Sequence, residues 1–199
     1  METFLINLKF REDRLKQFDI QAKQEGINYE RVEAVNKYEL NRKDYWITKK
    51  YDDRRSLKSG EVAAYLSHYK CMESCTQDFA LIFEDDAKLC CNFKDKLNIL
   101  MEKVPDDWDI IYLGTTKIWK RKYREKCQLI YDDNYFQQFT GDIYGTQAMF
   151  INRKAIEELK DSKFPILCPV DIKFCNSGLN VYIAKEELVG TLQMGSDSQ

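Results

Sequence analysis

The sequence predicts a single-domain α/β protein, and three stretches carry that prediction. The first is Phe79-Ala80-Leu81-Ile82-Phe83-Glu84-Asp85-Asp86, an unbroken apolar run that ends in three consecutive carboxylates. Such a run reads as a strand covered on both faces, with its acids at the carboxyl end, where open α/β sheets bind ligands. The second is the order strand, helix, strand over residues 3 to 34, the start of a parallel unit. The third is a helical stripe, Val62, Leu66, Tyr69 and Met72, at spacings of three and four. A length of 199 residues fits one domain covering 1–199, with room for a core and a cleft.

Taken in order, Thr3 to Leu8 predicts a strand, and Arg11 to Arg14 opens a helix marked by Leu15, Phe18, Ile20 and Ala22 and ended by Gly26. A short strand is expected near Tyr29 to Ala34. Residues 36 to 58 are polar, with Trp46 and Tyr51 isolated, and predict irregular surface. Ser59-Gly60-Glu61 starts a helix to about Ser74, with His68 beside its apolar stripe. After the acids a helix runs from Phe93 to Lys103 and is stopped by Pro105. Trp108 to Gly114 predicts a second buried strand. Residues 115 to 126, with Lys117, Lys120, Arg121, Lys122, Arg124 and Lys126, predict a basic loop, followed by a hairpin-like region. Gly145 to Ile151 predicts a strand and Arg153 to Lys160 a helix. Pro165 and Pro169 bracket a turn, Val170 to Phe174 starts a short helix, and Gly178 introduces a strand over Asn180 to Ala184. The chain ends in a polar stretch, Gln193 to Gln199.

Composition narrows the class. The chain is 44% hydrophobic and 13% aromatic, too apolar for a disordered polymer, and its 31 basic and 33 acidic side chains leave a net charge of -2. No field for non-specific nucleic-acid binding results. Seven cysteines, without a C-x-x-C pair, indicate neither a zinc site nor a disulfide framework, so reduced thiols and a cytoplasmic location are expected. No apolar stretch reaches the roughly 18 residues of a membrane span.

Three adjacent carboxylates repel one another unless a cation, a base or water relieves them. Hard divalent cations such as Mg2+ and Mn2+ favour oxygen ligands and often share one or two carboxylates with substrate phosphates. The alternative is an acidic run that simply faces solvent at a strand end.

Several ordered segments resemble glycosyltransferase family 25, which includes lipooligosaccharide and collagen galactosyltransferases. They are Ile6-Asn7-Leu8 followed by Arg11 and Arg14, Gly60-Glu61 with Ser67-His68, Glu84-Asp85-Asp86, Tyr144-Gly145-Thr146-Gln147-Ala148, and Pro169-Val170-Asp171. The resemblance implies a GT-A type fold, a mixed and mostly parallel sheet flanked by helices. It also implies inverting, metal-dependent transfer of galactose or glucose from a UDP-sugar to a hydroxyl on a glycan or protein. In that reading the DXD-like triplet divides its work: Asp86 holds Mn2+ or Mg2+ with Glu84 as a further candidate ligand, Glu84 lies toward the donor ribose, and Asp85 supports the acidic turn.

Asn7, Arg11, Arg14 and His68 are the other implied donor contacts, and Asp171, then Asp142, the implied general base. Each has a plainer reading: Asn7 as a strand terminator, the arginines as helix-surface ion pairs, His68 as a satisfied structural residue. Gly145, Thr146 and Gln147 form an acceptor-side or donor-sugar wall, or a plain turn. Gln193, Ser196 and Asp197 resemble terminal elements of the family. Acceptor specificity is expected in residues 36 to 58 and 115 to 140. Two other classes compete: a non-catalytic sugar- or nucleotide-binding domain of a larger glycan- or collagen-modifying system, and phosphoryl or nucleotidyl transfer, which normally wants two metals.

Overall fold

A computed structural model describes residues 1–45, 47, 56–114 and 128–192. Ten strands and five α-helices are formed by these residues. The strands are β1 (Glu2–Asn7), β2 (Glu30–Glu33), β3 (Phe79–Glu84), β4 (Ala87–Leu89), β5 (Ile110–Tyr112), β6 (Gln128–Asp132), β7 (Phe136–Thr140), β8 (Ala148–Asn152), β9 (Val181–Ala184) and β10 (Val189–Thr191). The helices are α1 (Glu12–Glu25), α2 (Ser59–Ser74), α3 (Phe93–Met101), α4 (Arg153–Asp161) and α5 (Val170–Cys175).

Eight strands form one sheet in the order β2-β1-β3-β8-β5-β9-β7-β6. Strands β1, β2 and β3 are mutually parallel, as are β5 and β9, while β8 and β7 run against their neighbours. The result is the mixed, mostly parallel sheet expected. Alternation along each strand feeds two cores. In β3, Ala80 and Ile82 enter a core with α2, α4 and α5, whereas Leu81 and Phe83 enter another with α1 and α3. Both faces are therefore covered, which is why β3 reads as a continuous apolar run rather than an alternating one.

The helix α2 has the predicted bounds, and Val62, Leu66, Tyr69 and Met72 are all buried. Glu61 accepts the Lys58 backbone N–H at 2.7 Å, satisfying a donor at the helix entrance. Gly26 ends α1 in the left-handed conformation, φ 63°, where a side chain would be strained. The inward face of α1 differs from the expected one. Arg14, Phe18 and Ala22, spaced by four, are buried, while Ile20 is 44% exposed because it lies some 200° around the helix from Phe18.

A second sheet was not legible in the sequence: β4 pairs antiparallel with β10, from Leu89 opposite Val189 to Ala87 opposite Thr191. The helix expected over Phe93 to Lys103 ends at Met101. The hairpin-like region is β6 and β7, joined by a turn in which Asp133 accepts the Tyr135 and Phe136 N–H groups. Between residues 36 and 58 the described part contains a 3-10 turn at Arg42–Asp44. Trp46, Tyr51, the basic residues 115 to 126, and Gln193, Ser196 and Asp197 lie outside the described residues. The six described cysteines are free thiols. Among the described residues no helix is long and apolar enough to cross a membrane.

Gly114, leaving β5, passes very close to β10. A Cβ placed there would stand 1.8 Å from the Val189 carbonyl oxygen, and that backbone is held by Leu188 and Val189 N–H bonds to the Leu113 carbonyl of 2.9 and 3.0 Å. Overpacking against fixed backbone is expensive. Gly114→Ala is expected to lower the unfolding free energy in urea by about 3 kcal/mol.

Candidate active site

The carboxyl ends of β2, β1 and β3 meet the first half of α2 around a cleft of about 120 Å³. Its apolar wall includes Ile6, Val35 and Ala63, and its polar end is formed by Arg14, His68 and the three acids. The acids leave β3 in different directions, so each meets a different environment.

Asp85 turns inward. Its Oδ1 accepts Arg14 Nη1 at 2.6 Å, and its Oδ2 accepts Asn7 Nδ2 at 2.8 Å. Asn7 Nδ2 also donates to the Arg11 carbonyl at 3.1 Å. All three side chains are buried, so the triad fastens α1 and the exit of β1 to the acidic turn. Burial pushes the Asp85 carboxyl up, and the Arg14 guanidinium and Asn7 amide pull it back only in part.

Glu84 points toward α2. Its Oε1 lies 3.0 Å from His68 Nε2 and accepts the Thr146 hydroxyl at 2.6 Å. Burial works to raise this carboxyl, but the His68 and Thr146 hydrogen bonds, with the charges of His68 and Arg14, hold it below the ordinary glutamate value. Glu84 remains 32% exposed, whereas His68 is 1% exposed, with its ring edge against Phe174.

Asp86 lines the cleft without either kind of support. Its backbone carbonyl accepts the Leu192 N–H at 2.7 Å, while its side-chain Oδ1 is buried and has no hydrogen-bond partner among the described residues. Burial, then the neighbouring Glu84 charge, push the carboxyl up to about 7, with Arg14 opposing and Asp85 adding to the rise. An orphaned buried carboxylate oxygen beside a cleft suits one cation ligand position. Among the described residues no group of three or more His, Cys, Asp and Glu gathers as a metal cage, because Asp85 and Glu84 are engaged elsewhere.

Of the later acidic candidates, Asp142 belongs to the segment leading into β8 and Asp171 to α5. Asp171, at the start of α5, accepts the Gly145 N–H at 3.4 Å and the Ile172 N–H at 2.9 Å. Since Thr146 holds Glu84, adjacent residues of one segment touch both carboxylates. Asp142 accepts Asn176 Nδ2 at 3.2 Å. Arg11 forms a paired contact with Asp13 on the first turn of α1, at 2.9 Å for each bond.

Sequence reasoning placed Thr146 in a sugar-side wall or a plain turn and missed its contact, the hydroxyl that fixes Glu84, because nothing local announces a partner 62 positions away; it also missed two aromatics. Phe10 and Tyr38 line the cleft while 53% and 79% exposed, and as isolated aromatics they carried no periodic signal.

The chain belongs to glycosyltransferase family 25, whose model, described as an LPS biosynthesis protein, matches residues 1–173. Among curated relatives, procollagen galactosyltransferase 1-A of Xenopus laevis is 32% identical over 131 residues, covering 59% of this chain and 21% of that protein. The human inactive glycosyltransferase 25 family member 3 is 33% identical over 131 residues, with 59% and 22% covered. The chain thus matches about a fifth of the length of these relatives. A Drosophila beta-1,4-galactosyltransferase 7 structure, a complex with manganese, UDP-Gal and xylobiose, aligns with a TM-score of 0.45 at 12% identity, covering 96% of this chain and 70% of that one.

Removing one member of a buried ion pair strands the other charge. Arg14→Met is expected to cost about 3–5 kcal/mol in urea unfolding, and the double variant Arg14→Met/Asp85→Leu to recover much of that loss. Asp86 gives a pH signature. Its raised carboxyl contributes stability that is full below about pH 4 and lost as pH rises through about 7, because the folded state must then carry the costly charge. With chelator present, Asp86→Asn should therefore gain stability relative to the parent as pH rises from about 4 to about 7, with the difference level above that.

Proposed function

We propose that this chain is an inverting, metal-dependent hexosyltransferase that moves galactose or glucose from a UDP-sugar to a hydroxyl on a glycan or protein. The observation that carries the reading is the division of the triplet: two acids are tied into the fold, and Asp86 keeps a buried oxygen beside the cleft that has no partner among the described residues. Family membership supplies the reaction class.

Asp86 is the residue that would hold Mn2+ or Mg2+. A bound cation would supply charge neutralisation for the departing diphosphate. Glu84, held through Oε1 by His68 and Thr146, presents the rest of its carboxylate for ribose hydroxyls. Arg14 and Asn7 keep the acidic turn in place, and Arg11 stands at the same end of β1.

In the transfer itself, the bond between the anomeric carbon and UDP breaks as the acceptor oxygen attacks from the opposite side. Asp171 takes the acceptor's proton, with Asp142 as the second candidate. The Gly145 and Ile172 N–H groups orient the Asp171 carboxylate. Cationic side chains and main-chain donors can favour charge developing in such a step without reorganising during it.

A second reading is a non-catalytic donor-binding domain, favoured by the likeness to an inactive family member. One experiment separates the two. UDP release is measured from UDP-galactose and UDP-glucose, with and without Mn2+, over a panel of saccharide and hydroxylysine-peptide acceptors. Asp86→Ala should abolish the metal-dependent rate, and Asp171→Ala should lower kcat by roughly 10²–10⁴. UDP-sugar binding without turnover in the parent selects the binding module, and no binding of either donor overturns both readings.

A further inference from the structure

We infer that Gln147 reads a hydroxyl of the transferred sugar and so takes part in choosing the donor. The inference rests on the UDP-sugar reading above and deepens it.

Register places the residue. Phe83 stands opposite Ala148 and Tyr112 opposite Met149, so one step beyond the first pair Glu84, and two steps beyond the second Gly114, flank Gln147 on the two sides of β8. The Glu84 N–H to Gln147 carbonyl bond of 2.9 Å and the Leu113 N–H to Ala148 carbonyl bond of 3.1 Å continue the pairing. Directly paired residues share a face. Glu84, Gln147 and Gly114 thus form a short row at the carboxyl ends of β3 and β5, on the face that also carries His68.

The middle of that row is a donor with nothing to donate to. Gln147 is 3% exposed, and its Nε2 is buried without a hydrogen-bond partner among the described residues. An unpaired buried amide is costly in an isolated fold, and natural proteins rarely keep one without use. On one side stands Glu84, a candidate ribose contact. On the other is Gly114, which offers no side chain; a Cβ there would lie 3.3 Å from Nε2. The preceding residue, Thr146, holds Glu84, and the one before that holds Asp171. The amide therefore belongs to the one segment that touches both the proposed donor contact and the proposed base, one residue beyond the contact to Glu84. A neutral N–H donor matches a neutral hydroxyl oxygen. Sites that pair a buried group with a substrate hydroxyl discriminate strongly against analogues that leave the group unpaired.

The test uses Gln147→Met, close in volume and lacking the amide, with Gln147→Leu as a second variant should the first fold poorly. Binding of UDP, UDP-galactose and UDP-glucose is measured by calorimetry with Mn2+, alongside kcat/KM for each donor and the melting temperature. Expected are unchanged UDP affinity, a loss of about tenfold in kcat/KM for the preferred UDP-sugar, a reduced preference between the two epimers, and melting no lower than the parent. An unchanged epimer preference overturns the inference and leaves the transferase reading standing; that is the result if Nε2 serves only a bound water. An equal loss of UDP affinity, or melting well below the parent in both variants, also overturns it by making Gln147 a structural residue. A parent that binds neither UDP-sugar overturns the donor reading itself, and this inference with it.

Discussion

The buried pair between Arg14 and Asp85 is the constraint on which the rest of the site depends. Three consecutive carboxylates at the end of one strand would repel one another if they shared an environment. The 2.6 Å contact removes the middle one by drawing it under α1, with Asn7 completing the coordination of its second oxygen. A pair of this kind contributes little net stability against a well-packed apolar alternative, but it tolerates the loss of neither partner. Its value here is directional: it fixes the turn after β3 and thereby where the two flanking acids stand.

With Asp85 fixed, Glu84 and Asp86 fall to opposite fates. Glu84 still belongs to β3, so its side chain follows the strand's alternation onto the α2 face, where His68 and Thr146 hold one oxygen and keep the carboxyl ionised. Asp86 has left the strand and lies against the start of β4, where the Leu192 N–H satisfies its main chain and none of the described residues satisfies Oδ1. Two negative neighbours and burial then push it toward neutrality. A divalent cation would reverse that balance, since it stabilises the charged form that the empty environment disfavours.

The parts legible in the sequence were those governed by local pattern. The bounds of α2, the two-sided burial of β3 and the Gly26 stop all follow from periodicity or backbone geometry within a few residues. What remained hidden depended on distant partners. Arg14 reads as a surface cation on a helix's first turn, and only the fold reveals Asp85, 71 positions away, as the reason it is buried. The pairing of β4 with β10 was hidden for a similar reason: three-residue strands, one containing Lys88 and the other Gly190, have too little pattern to announce a sheet. The resemblance to the family implied separate roles for the three acids, but the groups that hold Asp85 and Glu84 apart, Arg14, Asn7, His68 and Thr146, come from distant segments.

The antiparallel strand at the centre explains how so many groups reach one place. In a purely parallel sheet, each strand would contribute only its exit to the carboxyl edge. Because β8 is inserted against β3 and β5, its entrance lies at that edge instead, and the segment leading into it runs across the site. Its residues then reach in succession to different elements: the Gly145 N–H to α5 through Asp171, the Thr146 hydroxyl to β3 through Glu84, and the Gln147 backbone to Glu84 again. Gly145 adopts φ 107°, a conformation that side chains disfavour, and this backbone turn is what allows neighbouring residues to face different elements. The glycine in Gly145-Thr146-Gln147-Ala148 is thus a requirement of the topology, and the polar residues after it stand where an inverted strand carries its entrance into the site.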